Sequence, residues 1–378
     1  MILTIDGSNS ISGGAVAYLS NLLKYAEPGK YGIKKIILYS HKRLLQHIEN
    51  RTWLEKIHEP ELDKGLISRL KWLWFKFPKL TKDSDLIFFA GANYTVLKVP
   101  YVAICHNILP FVDFRKMFKF SFERFKNEYR KFSQIRCFEN SRGVIFLSNY
   151  AKDIMINKLK QKPQFIKVIP HGLEERFFCE PRKQKEISEY TIERPFKVLY
   201  VSAISIYKYQ WNVIKAFSIL RKKGYPAQID FIGGIYDKMG YKLFVKALKE
   251  CDPDGNFSRY IAQIPYSEIH NYYRNYDAYI FASTHENLPF SLLETIASGL
   301  PIASSDFGLT REILGNDAVY FDPRSPESIA EAVIRLIEDR ELREKIAWNN
   351  FEKAKRYNWK ICAEETLQFI SLVLKNRR

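Results

Sequence analysis

The sequence lacks the features that mark membrane-spanning, disulfide-rich and metal-binding proteins. No stretch of its 378 residues approaches the roughly 18 to 20 uninterrupted apolar residues that a spanning helix needs. The five cysteines (Cys105, Cys137, Cys179, Cys251 and Cys362) are scattered, and neither they nor the seven histidines have the paired spacing of a metal or redox site. With 17 Gly and 16 Pro, collagen and extended disorder are also excluded. We expect globular domains in a reducing cytoplasm, with no metal and no cofactor.

Acidic residues are scarce relative to basic ones, because 42 Asp and Glu stand against 59 Lys and Arg and leave a formal net charge of +17. Such an excess indicates a polyanionic partner, which could be nucleic acid, an anionic membrane surface or a phosphorylated substrate. Residues 1–180 carry 30 basic and 17 acidic side chains, a net of +13, and the remainder carries only +4. The excess therefore belongs to the N-terminal half.

Short β-branched or aromatic runs alternate with longer helical patterns, which is typical of an α/β protein with parallel sheets. The first run, at Met1–Ile5, reads as a strand and not as a signal peptide. The other strands predicted are Lys35–Tyr39, Leu86–Ala90, Tyr101–Cys105, Gly143–Leu147, Phe165–Ile169, Lys197–Val201, Ile229–Ile232, Tyr279–Ala282, Ile302–Ser304 and Ala318–Phe321. A polar, proline-bracketed segment at 181–195 is the predicted linker between domains at 1–180 and 196–358.

Ligands of such domains are expected in the loops at the carboxyl ends of the strands. The first of these loops contains Gly13-Gly14 before a helical pattern. Glycine lets backbone N–H groups approach an anion at a helix N-terminus, although a Gly-Gly pair also forms ordinary tight turns. The loop lacks the G-x-G-x-x-G spacing of a dinucleotide site.

Two carboxylates separated by seven residues, Glu286 and Glu294, follow a predicted strand of the second half. A helix is predicted to begin near Pro289 or Phe290 and to end at Gly299. The two carboxylates would frame its N-terminus and accept hydrogen bonds from sugar hydroxyls. The alternative is a helix whose acidic start is favoured by the helix dipole alone.

Four further residues could act on a phosphorylated ligand. Free N–H groups near Ser291 and Leu292 would suit a phosphate. Lys208, in the loop after a predicted strand, could neutralise a leaving phosphate, and His106, also after a strand, could exchange a hydrogen bond with a hydroxyl. Singly, a lysine at such a place is more often an ordinary surface residue, and a histidine is more often structural.

In combination these residues resemble the retaining nucleotide-sugar glycosyltransferases of family 4. That family has the GT-B fold, in which two Rossmann-like parallel-sheet domains face a central cleft. The resemblance covers nearly the whole chain, and the Glu-x7-Glu segment is its most specific part. It implies an acceptor domain at 1–180, a donor domain at 196–358 and a C-terminal helix at 359–378 that crosses back to the acceptor domain.

The resemblance also implies a role for each candidate residue. Lys208 would bind the donor diphosphate, Glu286 would contact the donor sugar and Glu294 would bind the ribose hydroxyls. His106 would lie beside the sugar and the reaction centre. The other donor-binding residues implied are Gly13, Gly14, Asn287, Leu288, Ser291 and Leu292. Transfer would retain the anomeric configuration and need no metal.

The sequence departs from the family pattern at two places. Members commonly read Gly-Arg-Leu-x-x-x-Lys before the diphosphate lysine, whereas Ala203 stands here in place of the arginine. Many members also read Glu-Gly-Phe-Gly, where this chain has Glu286-Asn287-Leu288-Pro289. These motifs therefore indicate the class of reaction more specifically than the identity of the donor.

Three other functions are considered. A metal-dependent glycosyltransferase would need an Asp-x-Asp motif after an apolar strand, which neither Asp83-Ser84-Asp85 nor Asp252-Pro253-Asp254 satisfies. An inactive transferase serving as a partner protein is suggested by Ala203. A nucleic-acid-binding protein is suggested by charge alone, since no recognised binding motif is present, and we expect no nucleic-acid partner.

Two segments interleave basic and aromatic residues in the N-terminal half. Leu66–Leu80 contains Trp72, Trp74, Phe75 and Phe77 among its lysines and arginine. Phe111–Arg136 holds eight Lys and Arg and eight aromatics, which include Phe118, Phe122, Phe125, Tyr129 and Phe132. The pattern suits either an interfacial helix on an anionic membrane or a core with a solvated face. Together with the resemblance it predicts a protein peripheral to the inner face of the plasma membrane, acting on a glycan or lipid-linked acceptor in surface-polysaccharide synthesis.

Overall fold

The structure, a computed structural model, describes residues 1–11, 13–112 and 122–376, with the backbone alone for 122–126. The chain forms two compact units. One consists of the described parts of Met1–Gly172 and Tyr357–Arg378, and the other is Leu173–Arg356. Each unit is built around its own parallel sheet.

The first unit contains a seven-stranded sheet. Its strands are β1 Ile2–Asp6, β2 Lys35–Ser40, β3 Leu54–His58, β4 Leu86–Phe89, β5 Tyr101–Cys105, β6 Gly143–Phe146 and β7 Phe165–Val168. They pair in parallel in the order β3-β2-β1-β4-β5-β6-β7. The central strands β4, β5 and β6 are buried throughout, because helices cover both faces of such a sheet and its strands are continuous apolar runs.

Helices of 4 to 18 residues lie between these strands. The α-helices are α1 Gly14–Lys24, α2 Lys42–Leu45, α3 Leu66–Lys71, α4 Phe77–Leu80, α5 Phe122–Glu139 and α6 Asn149–Ile156. A π-helical turn at Trp72–Lys76 joins α3 to α4, and 3₁₀ turns lie at Pro28–Tyr31, Pro60–Asp63 and Leu109–Phe111. The main core of this unit includes buried side chains from the strands and from Trp72 and Phe77.

The second unit contains a six-stranded sheet. Its strands are β8 Phe196–Val201, β9 Ala227–Ile232, β10 Ser258–Ile261, β11 Ala278–Phe281, β12 Ile302–Ser305 and β13 Val319–Phe321, in the parallel order β10-β9-β8-β11-β12-β13. The helices are α7 Gln210–Lys222, α8 Lys238–Cys251, α9 Ile269–Tyr273, α10 Phe290–Ala297, α11 Gly308–Leu314, α12 Pro326–Glu338 and α13 Arg340–Ala354. Two 3₁₀ turns, Glu175–Phe177 and Ile187–Glu189, precede β8.

The last helix, α14 Trp359–Lys375, belongs to the first unit. Asn358 caps it, since its side chain accepts hydrogen bonds from the first N–H groups of the helix. Phe369 and Val373 pack directly on Gly143 of β6, where a Cβ atom would lie 3.1 Å from both side chains. The predicted return of the C-terminal helix to the N-terminal domain is confirmed. Among the described residues, none of the helices has the length and apolar character needed to cross a bilayer.

All the strands predicted from the sequence are present, and two further strands were missed. These are β3 and β10, and each lies at one edge of its sheet. Edge strands are half-exposed, so β3 carries Glu55 and Lys56 and β10 carries Arg259 among their apolar residues. Neither sequence therefore shows the apolar run that identifies a central parallel strand.

The boundary between the units lies at Gly172 and Leu173, before the predicted linker. Residues 181–195 belong to the second unit and contact it through specific bonds. Arg182 donates to Asp277 Oδ1 at 2.8 Å, and Gln184 Oε1 accepts from Arg343 Nε at 3.3 Å. The polar residues of 181–195 thus bond to residues of the second unit. The prediction that this segment is a linker is corrected accordingly.

Candidate functional site

The order of the second sheet reverses between β8 and β11, which are hydrogen-bonded neighbours. In open α/β sheets, ligands bind outside the carboxyl ends of the strands at such a point. Lys208 lies in the loop after β8, and Glu286 lies in the loop after β11. The topology thus brings together two predicted site residues that are 78 positions apart.

Lys208 and Glu286 contact each other directly. Lys208 Nζ donates a hydrogen bond to Glu286 Oε1, and Ser283 Oγ donates to the same oxygen at 2.8 Å. Both side chains are largely buried, so their attraction is screened less than that of a surface pair. Ser283, the second residue after β11, was not identified from the sequence, because a single serine after a strand is unremarkable.

The loop that carries Lys208 is fixed at several points. Lys208 N donates to Ser205 O at 3.0 Å, and the buried Tyr200 hydroxyl donates to Lys208 O at 2.7 Å. Asp237 Oδ2 accepts from Ser205 Oγ at 2.6 Å and from Ile206 N at 2.9 Å. These contacts hold the backbone of Lys208 and of the residues before it in place without any ligand.

Ala203 lies in the same loop with its side chain exposed. Its carbonyl oxygen accepts a hydrogen bond from Gln210 Nε2 at 3.0 Å. Within the loop that runs from Ser202 to Tyr209, Lys208 is the one basic residue of the sequence. The positive charge of this loop is therefore that of Lys208.

Glu294 lies in α10, and its side chain is only 2% exposed. Its Oε1 accepts a hydrogen bond from the Tyr266 hydroxyl at 2.8 Å, and its Oε2 accepts one from the Tyr273 hydroxyl at 2.9 Å. Burial raises the pKa of Glu294 to about 7, against the opposing effect of the two tyrosine hydrogen bonds. Neither tyrosine was identified from the sequence, since both precede β11 and reach Glu294 only through the fold.

The helix that carries Glu294 has the predicted limits. Pro289 is its N-cap, and Gly299 follows the C-cap with φ of +68°, a left-handed conformation. A Cβ atom at Gly299 would lie 2.7 Å from Pro181 N and 2.8 Å from Cys179 O. Only glycine therefore fits at this point, where the start of the second unit packs on the end of α10.

The N-terminal turn of α10 differs from the prediction at one amide. Leu292 N donates to Pro289 O at 3.2 Å, so this N–H is not free for a phosphate, and the Leu292 side chain is fully buried. Asn287 and Leu288 are also buried, whereas Ser291 is partly exposed. A tightened first turn, in which the donor is bonded to the residue three positions earlier, accounts for the difference at Leu292.

Gly13 and Gly14 lie in the first unit, at the start of α1. Gly13 has φ of +57°, and a Cβ atom there would meet nothing within 4 Å. Both glycines are exposed. The loop therefore leaves the first backbone groups of α1 accessible to a ligand, as a tight Gly-Gly turn before a helix permits.

His106 follows β5 in the first unit, and its ring lies edge-on against Tyr18 of α1, with centroids 4.6 Å apart. Its Nε2 atom is buried and has no hydrogen-bond partner among the described residues. Burial, with a smaller effect of His171, lowers the pKa of His106 to about 3. The imidazole is therefore neutral near pH 7.

A buried polar network at the carboxyl end of β1 was also missed. Asp6 is almost completely buried and accepts from Ser8 N at 2.9 Å and from Asn93 Nδ2 at 2.6 Å. Burial raises the pKa of Asp6, while these bonds favour its ionised form. Asp6 is the last residue of β1, and the strand order of the first sheet reverses between β1 and its neighbour β4, so its position at the end of the first strand could have drawn attention to it.

The two Asp-x-Asp segments have structural contacts. Asp85 Oδ2 accepts from Ile2 N at 2.7 Å. Asp252 is buried and accepts from three backbone N–H groups and from Ser258 Oγ. In the described ranges, no group of three or more His, Cys, Asp or Glu side chains is placed to hold a metal ion.

Two family models match the chain. The model described as Glycosyltransferase Family 4 matches residues 12–177, and the one described as Glycosyl transferases group 1 matches residues 182–353. Similar curated proteins include the O-antigen chain mannosyltransferase B of Escherichia coli, which is 22% identical over 61% of this chain and 58% of its own length. Another is the N,N'-diacetylbacillosaminyl-diphospho-undecaprenol alpha-1,3-N-acetylgalactosaminyltransferase of Campylobacter jejuni, 30% identical over 29% of this chain and 30% of its own length. The chain spans less than two thirds of either relative.

Solved structures resemble the whole chain. Sucrose-phosphate synthase from Thermosynechococcus elongatus has a TM-score of 0.76 at 16% identity and covers 99% of both chains. Anabaena HepE in complex with UDP-glucose has a TM-score of 0.73 at 16% identity and covers 98% of this chain and 100% of its own. At this identity the likeness concerns the fold, and the predicted GT-B class of two Rossmann-like parallel-sheet domains is confirmed. With both halves matched in chain order, the protein belongs to the glycosyl transferases group 1, with an N-terminal half of the Glycosyltransferase Family 4 type.

Proposed function

We propose that this protein transfers a sugar from a nucleotide-diphosphate sugar to a glycan or lipid-linked acceptor during synthesis of a surface polysaccharide such as a lipopolysaccharide O-antigen or a capsule. The observation that carries the proposal is the Lys208–Glu286 pair at the switch point of the second sheet, with Glu294 on the adjoining helix. HepE, which shares the fold, is described in complex with UDP-glucose. The two curated relatives are a mannosyltransferase and an N-acetylgalactosaminyltransferase by name.

The donor would be held mainly by the second unit. Lys208 Nζ exchanges its bond with Glu286 for one with the diphosphate, whose charge grows as the leaving group departs. Glu286 then accepts hydrogen bonds from hydroxyls of the donor sugar, and Glu294 accepts from the ribose. Asn287, Leu288 and Ser291 form the turn between the two carboxylates and contribute backbone groups, whereas the Leu292 amide does not.

The reaction would retain the anomeric configuration and use no metal. The bond between the anomeric carbon and the phosphate oxygen breaks, the acceptor oxygen bonds to that carbon on the same face, and the acceptor proton passes to the leaving phosphate. Glu286 orients the sugar and forms no covalent bond. His106 is neutral because of its lowered pKa, so its Nε2 serves as a hydrogen-bonding group to a hydroxyl and not as a cation. The Gly13-Gly14 amides lie against the diphosphate or the acceptor.

The basic aromatic segments of the first unit supply the argument for a membrane-linked acceptor. Within Leu66–Leu80, Trp72 and Phe77 are core residues, whereas Ile67 and Phe75 are 74% and 72% exposed. The residues that we call the basic aromatic surface are Ile67, Lys71, Trp74, Phe75, Lys79, Tyr129, Arg130, Phe132 and Arg136, all of them exposed. Phe118 and the side chains of Phe122 and Phe125 lie outside the described residues.

The two parts of the basic aromatic surface meet at the loop after β4. Trp74 packs edge-on against Tyr94 at 5.7 Å, and Tyr94 N donates to Ser133 Oγ of α5 at 3.3 Å. Exposed apolar side chains next to basic ones suit the interface of an anionic bilayer. We therefore place the protein in the cytoplasm, peripheral to the inner face of the plasma membrane, with a lipid-linked sugar as its acceptor.

A panel of nucleotide-sugars tests the donor assignment. Thermal stabilisation and slow hydrolysis are measured with UDP-, GDP-, ADP- and dTDP-linked hexoses on the wild type and on Glu286→Gln and Lys208→Ala. We expect one nucleotide to stabilise the wild type and both variants to lose hydrolysis. Lys223→Ala removes an exposed lysine elsewhere in the second unit and serves as the matched control. Stabilisation by none of the nucleotide-sugars would overturn the proposal.

A further inference from the structure

Two tyrosine hydroxyls donate hydrogen bonds to the Glu294 carboxylate, one to each oxygen, and the two tyrosines lie in different surroundings. Tyr273 lies in α9, is 0% exposed and stacks on Tyr279 with centroids 6.0 Å apart. Tyr266 lies in the segment between β10 and α9 and is 43% exposed. The carboxylate thus has one fixed donor from the core and one donor from a residue at the surface.

The Tyr266 ring has two other contacts, one with a cation and one with a buried aromatic residue. The Arg176 guanidinium lies 4.7 Å from the centre of the Tyr266 ring, and Phe177 packs beside it at 5.8 Å. Arg176 in turn pairs with Glu174 at 3.1 Å. The ring is thus held by a cation–π contact and by a buried phenylalanine, while 43% of the residue stays exposed.

A ligand can reach the Glu294 carboxylate only if a neighbour moves, because the residue is only 2% exposed. Displacing Tyr273 would open the core between α9 and β11, whereas displacing Tyr266 moves a side chain that already faces solvent. A ribose hydroxyl and a tyrosine hydroxyl make the same kind of bond to a carboxylate oxygen. The exchange therefore replaces one hydroxyl by another at Oε1.

We propose that Tyr266 competes with the nucleotide for Glu294, so that its hydroxyl leaves Oε1 when a ribose hydroxyl binds there, while Tyr273 keeps Oε2 throughout. This inference rests on the proposed function, which assigns Glu294 to the ribose. Tyr266 is thereby a residue that sets nucleotide affinity, and its hydroxyl acts against binding. Tyr273 is a positioning residue that orients the same carboxylate.

The two tyrosines provide a matched pair of variants. Tyr266→Phe removes the competing hydroxyl and leaves the ring, so the dissociation constant of the nucleotide falls by about 3- to 10-fold, the size of the net contribution of one typical hydrogen bond that no longer has to be broken. Tyr273→Phe removes a bond that is present before and after binding, and affinity stays the same or weakens. Both variants lower the melting temperature. In Tyr266→Phe the nucleotide affinity rises while the stability falls, which a purely structural role of Tyr266 would not produce.

Isothermal titration with UDP, GDP, ADP, dTDP and inorganic pyrophosphate tests the inference on the full chain. The gain in Tyr266→Phe is expected for the nucleoside diphosphate that binds the wild type and not for pyrophosphate, which has no ribose. Equal or weaker nucleotide binding by Tyr266→Phe, with Glu294→Gln weakened, overturns the role of Tyr266 alone. Nucleotide binding that is unchanged in Glu294→Gln, or absent from the wild type, overturns the assignment of Glu294 and with it this inference.

Discussion

Lys208 Nζ donates to Glu286 Oε1, so the cation proposed for the diphosphate and the carboxylate proposed for the sugar are bonded to each other at the point where the second sheet reverses its order. Ser283 donates to the same carboxylate oxygen. In a largely buried pair, each partner offsets part of the cost of removing the other from water. The effects of replacing Lys208 and Glu286 are therefore expected to be coupled.

Lys208→Ala and Glu286→Gln are each expected to lower sugar transfer by roughly 10²- to 10³-fold, the range seen when one group that stabilises developing charge is removed. The double variant is expected to lose much less than the product of the two single losses, because residues in direct contact are not independent. Steady-state transfer to the acceptor, measured for all four proteins of the cycle, provides the comparison.

Two controls accompany this cycle. Lys223→Ala should retain wild-type turnover, which would show that removing a positive charge elsewhere in the second unit does not by itself lower sugar transfer. Melting temperatures identify a variant that fails to fold, since breaking a largely buried ion pair also destabilises the protein. Unchanged turnover in either single variant would contradict the site.

The affinity for a nucleotide-sugar is expected to rise with pH because of Glu294. Its pKa is raised to about 7 by burial, so the carboxyl is mainly protonated at pH 6 and mainly ionised at pH 8, and the ionised form is the better acceptor for a ribose hydroxyl. Affinity should therefore increase by up to about 10-fold between these pH values. Titration calorimetry with the nucleotide-sugar measures it, because this diester has no ionisation of its own in that range.

Glu294→Gln is the control for this pH dependence. The groups that act on the Glu294 carboxyl are Tyr266, Tyr273, Arg176 and Glu174, and the lowered pKa of His106 keeps that histidine neutral over the same range. The variant should bind more weakly and with a flat pH profile between 6 and 8. A slope that persists in the variant would assign the titration to another group.

The sequence predicted those strands and helices whose local residue pattern matches their position in the fold. Central parallel strands such as β5 are apolar runs, and α10 has a proline at its start and a glycine after its end, so both were predicted with nearly their true limits. Glu286 and Lys208 follow such strands, and their meeting depends only on the parallel topology. The missed edge strands, β3 and β10, lacked that pattern because charged, exposed residues interrupt their apolar ones.

The remaining parts of the site depend on tertiary contacts. The bonds of Tyr266 and Tyr273 to Glu294 join residues 28 and 21 positions apart, and no spacing rule predicts them. Burial, which decides the pKa of His106 and Glu294, is likewise a property of the fold. The Leu292 amide was predicted to be free, but whether the first turn of a helix tightens is set by its cap geometry.

Gly299→Ala is expected to destabilise the second unit by more than about 3 kcal/mol. A left-handed alanine costs roughly 1 to 2 kcal/mol, and the new methyl group would also lie 2.7 Å from Pro181 N. Gly255→Ala is the matched control, because Gly255 has the same φ of +68° but nothing within 4 Å of its Cβ position. Urea unfolding of both variants measures the difference, and equal losses would show that the close approach at Gly299 is tolerated.

Replacing Ile67 and Phe75 by serine is expected to release the protein from anionic vesicles. Both side chains are exposed in the basic aromatic surface, and burying an apolar side chain in the bilayer interface adds to the attraction of about 1 kcal/mol for each nearby Lys or Arg. Flotation with vesicles of phosphatidylcholine alone, or with about 30% phosphatidylglycerol, should recover the wild type only with the anionic lipid and less at high salt. Ile192→Ser, which changes an exposed residue of the second unit, should float like the wild type. Equal recovery with both lipid mixtures, or recovery with neither, would show that this surface does not bind membranes.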